Sequence, residues 1–503
     1  MEHKCLRLFA DFSFLLQNCD KECDFDLISG GKRLTLSASD RISSLLDEAS
    51  FVEVGAYVTA RNTDFNMQEN DTPKDGVITG YGVINGKLVY VYSQDATVLG
   101  GAIGEMHAKK IAKIYDMAMK VGAPVVGLID CAGLRLQEAT DALNAFGEVY
   151  LKQTLASGVI PQITAIFGTC GGGAALIPTL TDFTFMTAEG GKLFVNSPNA
   201  LDGNYQAKLD TASAAYLSEN SSLVDGVFED DATTLANIRS LVDMLPDNNM
   251  EDAESDCTDD LNRIIPNLDG FAKDARAVLQ NIADNNVFVE VKKDYAKDMV
   301  LGLIKLNGAT VGCVANQAAD GGELLSTSGA YIAADFVKFC DAFNIPVLTL
   351  VNAKGFVATV SNERTIADAA AKLTYAFADA TVPKVTVVMG DAFGTAYTIM
   401  NSKAIGADMV YAWPCAKIGT MDPEMAVKIM YEKEIAEAAD KVAFIAEKKK
   451  AYTELQSSAL AAAKRGYIDD IIEPDATRKR VIAAFDMLST KNEERPYKKH
   501  GAV

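Results

Sequence analysis

Apolar and polar positions along this chain change period several times, and each change marks an element. From Gly76 the segment GVITGYGVINGKLVYVYSQD holds two apolar runs around Asn85-Gly86, which predicts a β-hairpin with a tight turn. Apolar residues at helical spacing follow over Glu105–Val121. Pro124 then opens APVVGLID, apolar without alternation, the pattern of a strand covered on both faces. A helix around Glu138–Ala156, a strand at Ile163–Phe167 and the turn GTCGGGAA complete the series, and ALIPTL predicts a further helix. Upstream, Asp40–Val54 reads as a helix and an entry strand, after about 40 residues without a clear period.

The same series is then written a second time. Asn85-Gly86 recurs as Asn307-Gly308, Pro124 as Pro346, Asp130 as Asn352 and Gly133 as Gly355. Pro161, Gly168, Gly172 and Ala174 return as Pro383, Gly390, Gly394 and Ala396, at one offset of about 222 residues. A fixed offset between supersecondary units points to two similar units. The second copy predicts a hairpin at Asn307-Gly308, a helix through Ala330–Phe343, the strand PVLTLVN, a helix around Ala367–Phe377, the strand Val385–Met389 and the turn GDAFGTAY. Between the copies, PDNNMEDAESDCTDD (Pro246–Asp260) is polar and acidic, as a linker is. From about Pro423 the pattern is mainly helical. Strands and helices repeated in this order predict an α/β architecture, and the 503 residues divide as domains 1–255 and 256–503.

Composition narrows the function classes. No apolar run approaches the roughly 20 residues of a membrane-spanning helix, and the N-terminal MEHKCLRLFADFSF is too acidic for a secretory signal. A cytoplasmic protein is expected. The net charge of −21 disfavours sequence-independent nucleic-acid binding. It leaves room for a phosphate-bearing ligand, because a local basic patch acts at short range. The 9 cysteines are scattered, which argues against a disulfide framework. Cys19 and Cys23 form the one close pair, with no second pair for a tetrahedral zinc site.

Histidine is almost absent. His3 and His500 lie near the ends, and His107 falls in a predicted amphipathic helix, where a packing role is expected. Chemistry through imidazole is therefore disfavoured. The glycine turns offer another route. Gly172-Gly173-Ala174 follows a buried strand and precedes a predicted helix, where the first N–H groups lack helical partners. Two such donors make an oxyanion hole. Gly394-Thr395-Ala396 takes the same register, keeping N–H donors at Thr395 and Ala396. Two matched turns suit a reaction that passes a group between two carbonyl-bearing reactants. In CAGLRLQEA, Arg135 is placed either to reach a phosphate or to form a surface ion pair with Glu138. Cys131 and Cys170 adjoin the turns without a base beside them and read as small buried residues. Lys354, in VNAKGF, meets either ligand or solvent.

These motifs carry a resemblance. DGVITGYGVINGKLVYVYSQD, GGAIGE, RLQEA, ASGVIPQITAIFGTCGGGA with its TDF, VANQ, FCDAFNIPVLTLVNAKGF, ADATVPKVTVV, GADMVYAWP, MDPE, GYIDDIIEP and RPYKKHG run in order from about Asp40 to the end. The chain resembles the carboxyltransferase (β) subunits of biotin-dependent acyl-CoA carboxylases, propionyl-CoA carboxylase among them, and the related α subunits of biotin-dependent decarboxylases.

The resemblance implies two crotonase-like domains related by duplication. Gly172-Gly173 would hold the thioester carbonyl of a short-chain acyl-CoA, propionyl-CoA or acetyl-CoA, as it becomes an enolate. Thr395-Ala396 would hold the ureido carbonyl of carboxybiotin, and the biotin anion would take the α-proton. Gly133, Arg135, Cys170 and Gly171 are implied as substrate-binding residues of the first pocket, and Gly355, Phe356, Gly394 and Thr398 of the second. No resident metal is implied. A homohexamer is, with each site shared between the first domain of one subunit and the second of another. So are a biotin carboxyl carrier protein and a biotin carboxylase on other chains, because no biotinylation segment or ATP-grasp domain is legible. Departures lie in the second half: Thr395 stands for a glycine, Gly390-Asp391 for basic residues, Lys354 for a proline, and Thr398 where an acidic residue is common. The first alternative is the α subunit of a sodium-pumping methylmalonyl-CoA or glutaconyl-CoA decarboxylase, running the transfer in reverse. A biotin-independent hydratase or isomerase and a non-catalytic scaffold are more distant.

Overall fold

A computed structural model describes residues 35–61, 65, 69–319, 322–496 and 500–502. The N-terminal stretch, His3, Cys19 and Cys23 lie outside the described residues.

Two eight-stranded mixed sheets organise Ser37–Val503. The first contains β1 (Val52–Glu53), β2 (Val77–Ile84), β3 (Lys87–Gln94), β4 (Val125–Cys131), β5 (Gln162–Gly171), β6 (Phe183–Thr187), β7 (Lys192–Phe194) and β8 (Gly226–Phe228). Its order is β1-β2-β3-β4-β5-β6-β8, with β7 beside the far end of β5. The second contains β9 (Phe288–Val291), β10 (Met299–Leu306), β11 (Ala309–Asn316), β13 (Val347–Ala353), β15 (Lys384–Phe393), β16 (Met409–Ala412), β17 (Lys417–Gly419) and β18 (Asp470–Ile471). Its order is the same, β9-β10-β11-β13-β15-β16-β18, with β17 beside the end of β15. A separate ribbon pairs β12 (Leu324–Leu325) with β14 (Gly355–Phe356).

Both hairpins close as the Asn-Gly dipeptides dictate. Asn85 and Gly86 take φ of 50° and 87°, and Asn307 and Gly308 take 55° and 83°, the double left-handed geometry that matches strand twist. Val77 faces Gln94 in one ladder and Met299 faces Asn316 in the other, so the 222-residue offset holds strand by strand. After each hairpin the chain crosses to parallel strands through a helix, Glu105–Val121 in the first half and Thr327–Ala342 in the second.

Each sheet has its own apolar core. One gathers Tyr92, Ile111, Tyr115, Val125, Phe146, Val149 and Ile166. The other gathers Leu279, Val300, Val311, Leu348, Val385 and Trp413. Trp413 is wholly buried and its indole N–H donates to Thr477 Oγ1 at 3.0 Å, the partner such a ring requires. The halves meet through the edge-on rings of Phe183 and Phe339, 4.9 Å apart, and the Lys305–Asp243 ion pair at 2.8 Å.

The acidic segment between the copies is tied to the second hairpin, since Glu254 bridges Ala309 and the Thr310 N–H donates to the Ala253 carbonyl. One expectation needs correction. ALIPTL is not a full helix: Gly172–Ala175 form a 3-10 turn and Leu176–Thr179 a single helical turn. Pro178, inside that turn, removes an N–H donor, and β6 begins four residues after Thr179. No helix among the described residues is long and apolar enough to cross a membrane.

Candidate functional site

The glycine turns sit where the longest strand of each sheet overruns its neighbour. Between β4 and β5 the register runs Ile129↔Ile166 and then slips to Cys131↔Cys170. Between β13 and β15 it runs Val351↔Val388 and slips to Ala353↔Ala392. Each slip fits two extra residues into the longer strand, bending it out of the ladder. Asp130 and Asn352 lie at the two slips. A Cβ at Gly168 would run into the Asp130 carboxylate, and one at Gly390 would lie 2.7 Å from Asn352 Oδ1. The recurrence of these two glycines is thus a packing requirement. Asp130 is backed by Arg41 at 3.5 Å, whose guanidinium also pairs with Asp231 at 3.2 Å and lies 4.6 Å from the centre of the Phe167 ring.

Past the slips the two turns match residue for residue. Gly171 and Phe393 are extended, with φ of −115° and −118°. Gly172 and Gly394 then take φ of +62° and +60°, the left-handed region that favours glycine. Gly173 and Thr395 are exposed, while Ala174 and Ala396 are buried. Neither turn has a side-chain cap. The N–H groups of Gly172, Gly173, Thr395 and Ala396 make none of the turn, loop or cap hydrogen bonds found among the described residues. They stand at helical starts, where the first donors have no partner within the helix. A Cβ on Gly172 would meet nothing within 4 Å, so open space fronts the first turn. Beside it a hollow of about 710 Å³ is lined by Lys192, Phe194, Asn199, Tyr205 and Lys208.

The flanking residues predicted from sequence divide into two groups. Gly133 lies beside the first turn: its φ is +113°, its carbonyl accepts from Ile103 N–H at 2.9 Å, and its Cβ position is 3.1 Å from the Gly171 carbonyl. In the other half, Gly355 and Phe356 form β14, which packs on the helix Gly394–Ile399.

Three side chains predicted to bind substrate are otherwise engaged. Arg135 is only 1% exposed. Its guanidinium holds Asp75 at 2.6 Å, Glu138 at 2.7 Å and the Ala102 carbonyl at 2.8 Å. It is neither a phosphate ligand nor a surface ion pair, but the centre of a buried charge cluster. The Cys170 side chain lies under the turn, its thiol donating to the Ala174 carbonyl at 3.3 Å, and burial pushes that thiol well above its usual range. The Thr398 hydroxyl donates back to the Gly394 carbonyl at 3.3 Å and so faces its own helix. Cys131 is also buried, with its thiol raised to about 11 by desolvation. Neither thiol is a nucleophile near neutral pH.

Arg135→Met should destabilise the protein by about 3–5 kcal/mol, because Asp75 and Glu138 would stay buried after losing the cation they share. Urea unfolding would show it. Unchanged stability with weakened CoA-ester binding would restore a phosphate role for Arg135.

His107 is a packing histidine. Its ring is buried, with Nδ1 on the Asp75 carbonyl at 2.9 Å and Nε2 beside Gln94 Nε2 at 3.1 Å. Desolvation, then the Arg135 charge, pushes its pKa down to about 3, so the ring is uncharged at neutral pH. Lys354 meets carboxylates: it pairs with Glu323 and lies 3.8 Å from Asp391, while Lys273 joins Glu323 and Lys417 joins Asp391. A line of three lysines and two carboxylates therefore borders the second turn. No group of His, Cys, Asp and Glu among the described residues could hold a metal.

Comparison with known proteins adds to this geometry. The family model for the carboxyl transferase domain matches residues 31–503. The chain is 42% identical to the methylmalonyl-CoA decarboxylase α subunit of Propionigenium modestum over 480 residues, 93% of each chain. It is 43% identical to the propionyl-CoA carboxylase β chain of Roseobacter denitrificans, again over 93% of each. A solved structure of the transcarboxylase 12S hexamer, with hydrolysed methylmalonyl-coenzyme A bound, superposes with a TM-score of 0.88 at 38% identity, covering 93% of this chain and 92% of that one.

Proposed function

The chain belongs to the carboxyl transferase domain family, and from that premise we propose that it is the carboxyltransferase component of a multisubunit, biotin-dependent acyl-CoA carboxylase. Its reactants on this reading are a short-chain acyl-CoA, propionyl-CoA or acetyl-CoA, and carboxybiotin on a separate carrier protein. The observation that carries the reading is the pair of turns with matched φ and uncapped N–H groups, each raised out of its sheet by the same register slip. Two crotonase-like domains, 1–255 and 256–503, would each supply one turn.

Each turn does the same physical work. Gly172 and Gly173 N–H would donate to the thioester oxygen, which gains negative charge as the α-proton leaves. Fixed donors aimed at a developing oxyanion are worth about 10²–10³ in rate each. Thr395 and Ala396 N–H would do this for the ureido oxygen. Bound carboxybiotin supplies the carboxyl group as CO2 and, once freed of it, a base for the α-proton. No imidazole base is then needed, in keeping with a histidine held neutral inside the first half. The first turn leaves room for such an oxygen, because a Cβ on Gly172 would meet nothing within 4 Å.

We further propose a cytoplasmic homohexamer, with the first turn of one subunit facing the second turn of another, supplied by a biotin carboxyl carrier protein and a biotin carboxylase. The decarboxylase likeness at 42% identity supports a second reading: the α subunit of a biotin-dependent, sodium-pumping decarboxylase of methylmalonyl-CoA or glutaconyl-CoA. The purified chain, given carrier protein carboxylated with labelled CO2 and propionyl-CoA, should form labelled methylmalonyl-CoA. No labelled product from propionyl-CoA, nor from acetyl-CoA in the same assay, would overturn the carboxylase reading. Transfer from methylmalonyl-CoA to free carrier that coupled only to a membrane-bound decarboxylase subunit would favour the second reading.

A further inference from the structure

One tyrosine lies against the first turn. Tyr150, on the helix Ala139–Ala156, donates its hydroxyl to the Gly173 carbonyl at 2.6 Å. Its ring packs on Phe146 with centroids 5.8 Å apart, and Phe146 is itself buried. A Cβ on Gly173 would lie 3.2 Å from the Tyr150 oxygen, so tyrosine and glycine close on each other. Burial raises the Tyr150 pKa from its usual value, which keeps the hydroxyl a donor at neutral pH.

We propose that Tyr150 is a positioning residue that clamps the first turn so that its N–H groups stay aimed at the thioester oxygen. This rests on the oxyanion role given to that turn above. Gly172 and Gly173 have no Cβ to restrict them, so their peptide planes are the freest in the site. The Gly173 carbonyl belongs to the same residue as one of the two donors, so holding it restricts rotation about the Gly173 backbone bonds that set where its N–H points. The second turn is built differently. Thr395 stands where Gly173 does, and a β-branched side chain stiffens its own backbone. The hydroxyl there comes from Thr398, on the same short helix, to the Gly394 carbonyl.

Tyr150→Phe keeps the ring and removes the donor. Amide hydrogen exchange at residues 171–175 should speed up by about tenfold in this variant. In the carrier-dependent transfer assay, kcat should fall by about fivefold to tenfold while KM for the acyl-CoA stays within about twofold. The primary isotope effect with α-deuterated acyl-CoA should rise, because proton removal becomes slower, and the melting temperature should hold. Unchanged exchange, or an unchanged kcat, would overturn the clamp. So would a fall in kcat that only tracks a lowered melting temperature with the isotope effect unmoved. If the wild-type chain transferred nothing, the function proposed above would fall, while exchange would still decide whether Tyr150 holds the turn.

Discussion

Replacing Gly172 with valine should lower carboxyl transfer by about 10²–10³-fold, the loss associated with one oxyanion donor site. The side chain would project into the open space where the thioester oxygen is to sit. Valine is also strained at the φ of +62° found there, at a cost of about 1–3 kcal/mol, so lost activity alone would be ambiguous. Gly172→Asn removes the ambiguity. Asparagine tolerates left-handed backbone yet still fills the cradle, so it should melt near the wild-type temperature and transfer as poorly as the valine variant. Binding of a non-reacting acyl-CoA analogue, measured by calorimetry, should weaken in both. If Gly172→Asn kept half or more of the wild-type transfer rate, the thioester oxygen would have to lie elsewhere.

The residues that fix the cradle were legible in sequence because backbone demands are written in residue types. Asn85-Gly86 and Asn307-Gly308 could hardly be anything but hairpins, and both took the left-handed pair of φ values. Apolar spacing predicts a helix over Glu105–Val121, and the helix spans those residues, stopped by Gly122 in the left-handed region. Gly172 and Gly394 stood out by their common offset, and both need positive φ. The offset also flagged Gly168 with Gly390 and Asp130 with Asn352, whose reason emerged only as contact across a register slip.

What sequence could not show was which charges are buried. Arg135 sits in a polar stretch that reads as surface, and its partner Asp75 is sixty residues upstream. Periodicity cannot connect residues so far apart. Strands of two or three residues, such as β7, β14 and β17, carry too few positions to show a period. They nonetheless flank both turns. Tyr150 gave no signal either, since one aromatic on a helix reads as packing until its hydroxyl is seen on a carbonyl.

Gly394→Val should abolish transfer as well, but through the other reactant. A Cβ at Gly394 would lie 3.1 Å from the Thr420 carbonyl, on a backbone with φ of +60°, so the second turn would be forced out of shape. The first turn would be untouched, and affinity for an acyl-CoA analogue should remain that of the wild type. The pair of variants then tests where a complete site is assembled. If the first turn of one subunit works against the second turn of its neighbour, Gly172→Asn and Gly394→Val subunits mixed before assembly should complement each other. In an equal mixture half of the first turns and half of the second turns are intact, so random assembly into hexamers makes about a quarter of the sites whole, and about a quarter of the wild-type rate should return. Mixtures that assemble normally but stay inactive would place both turns of a working site in the same chain.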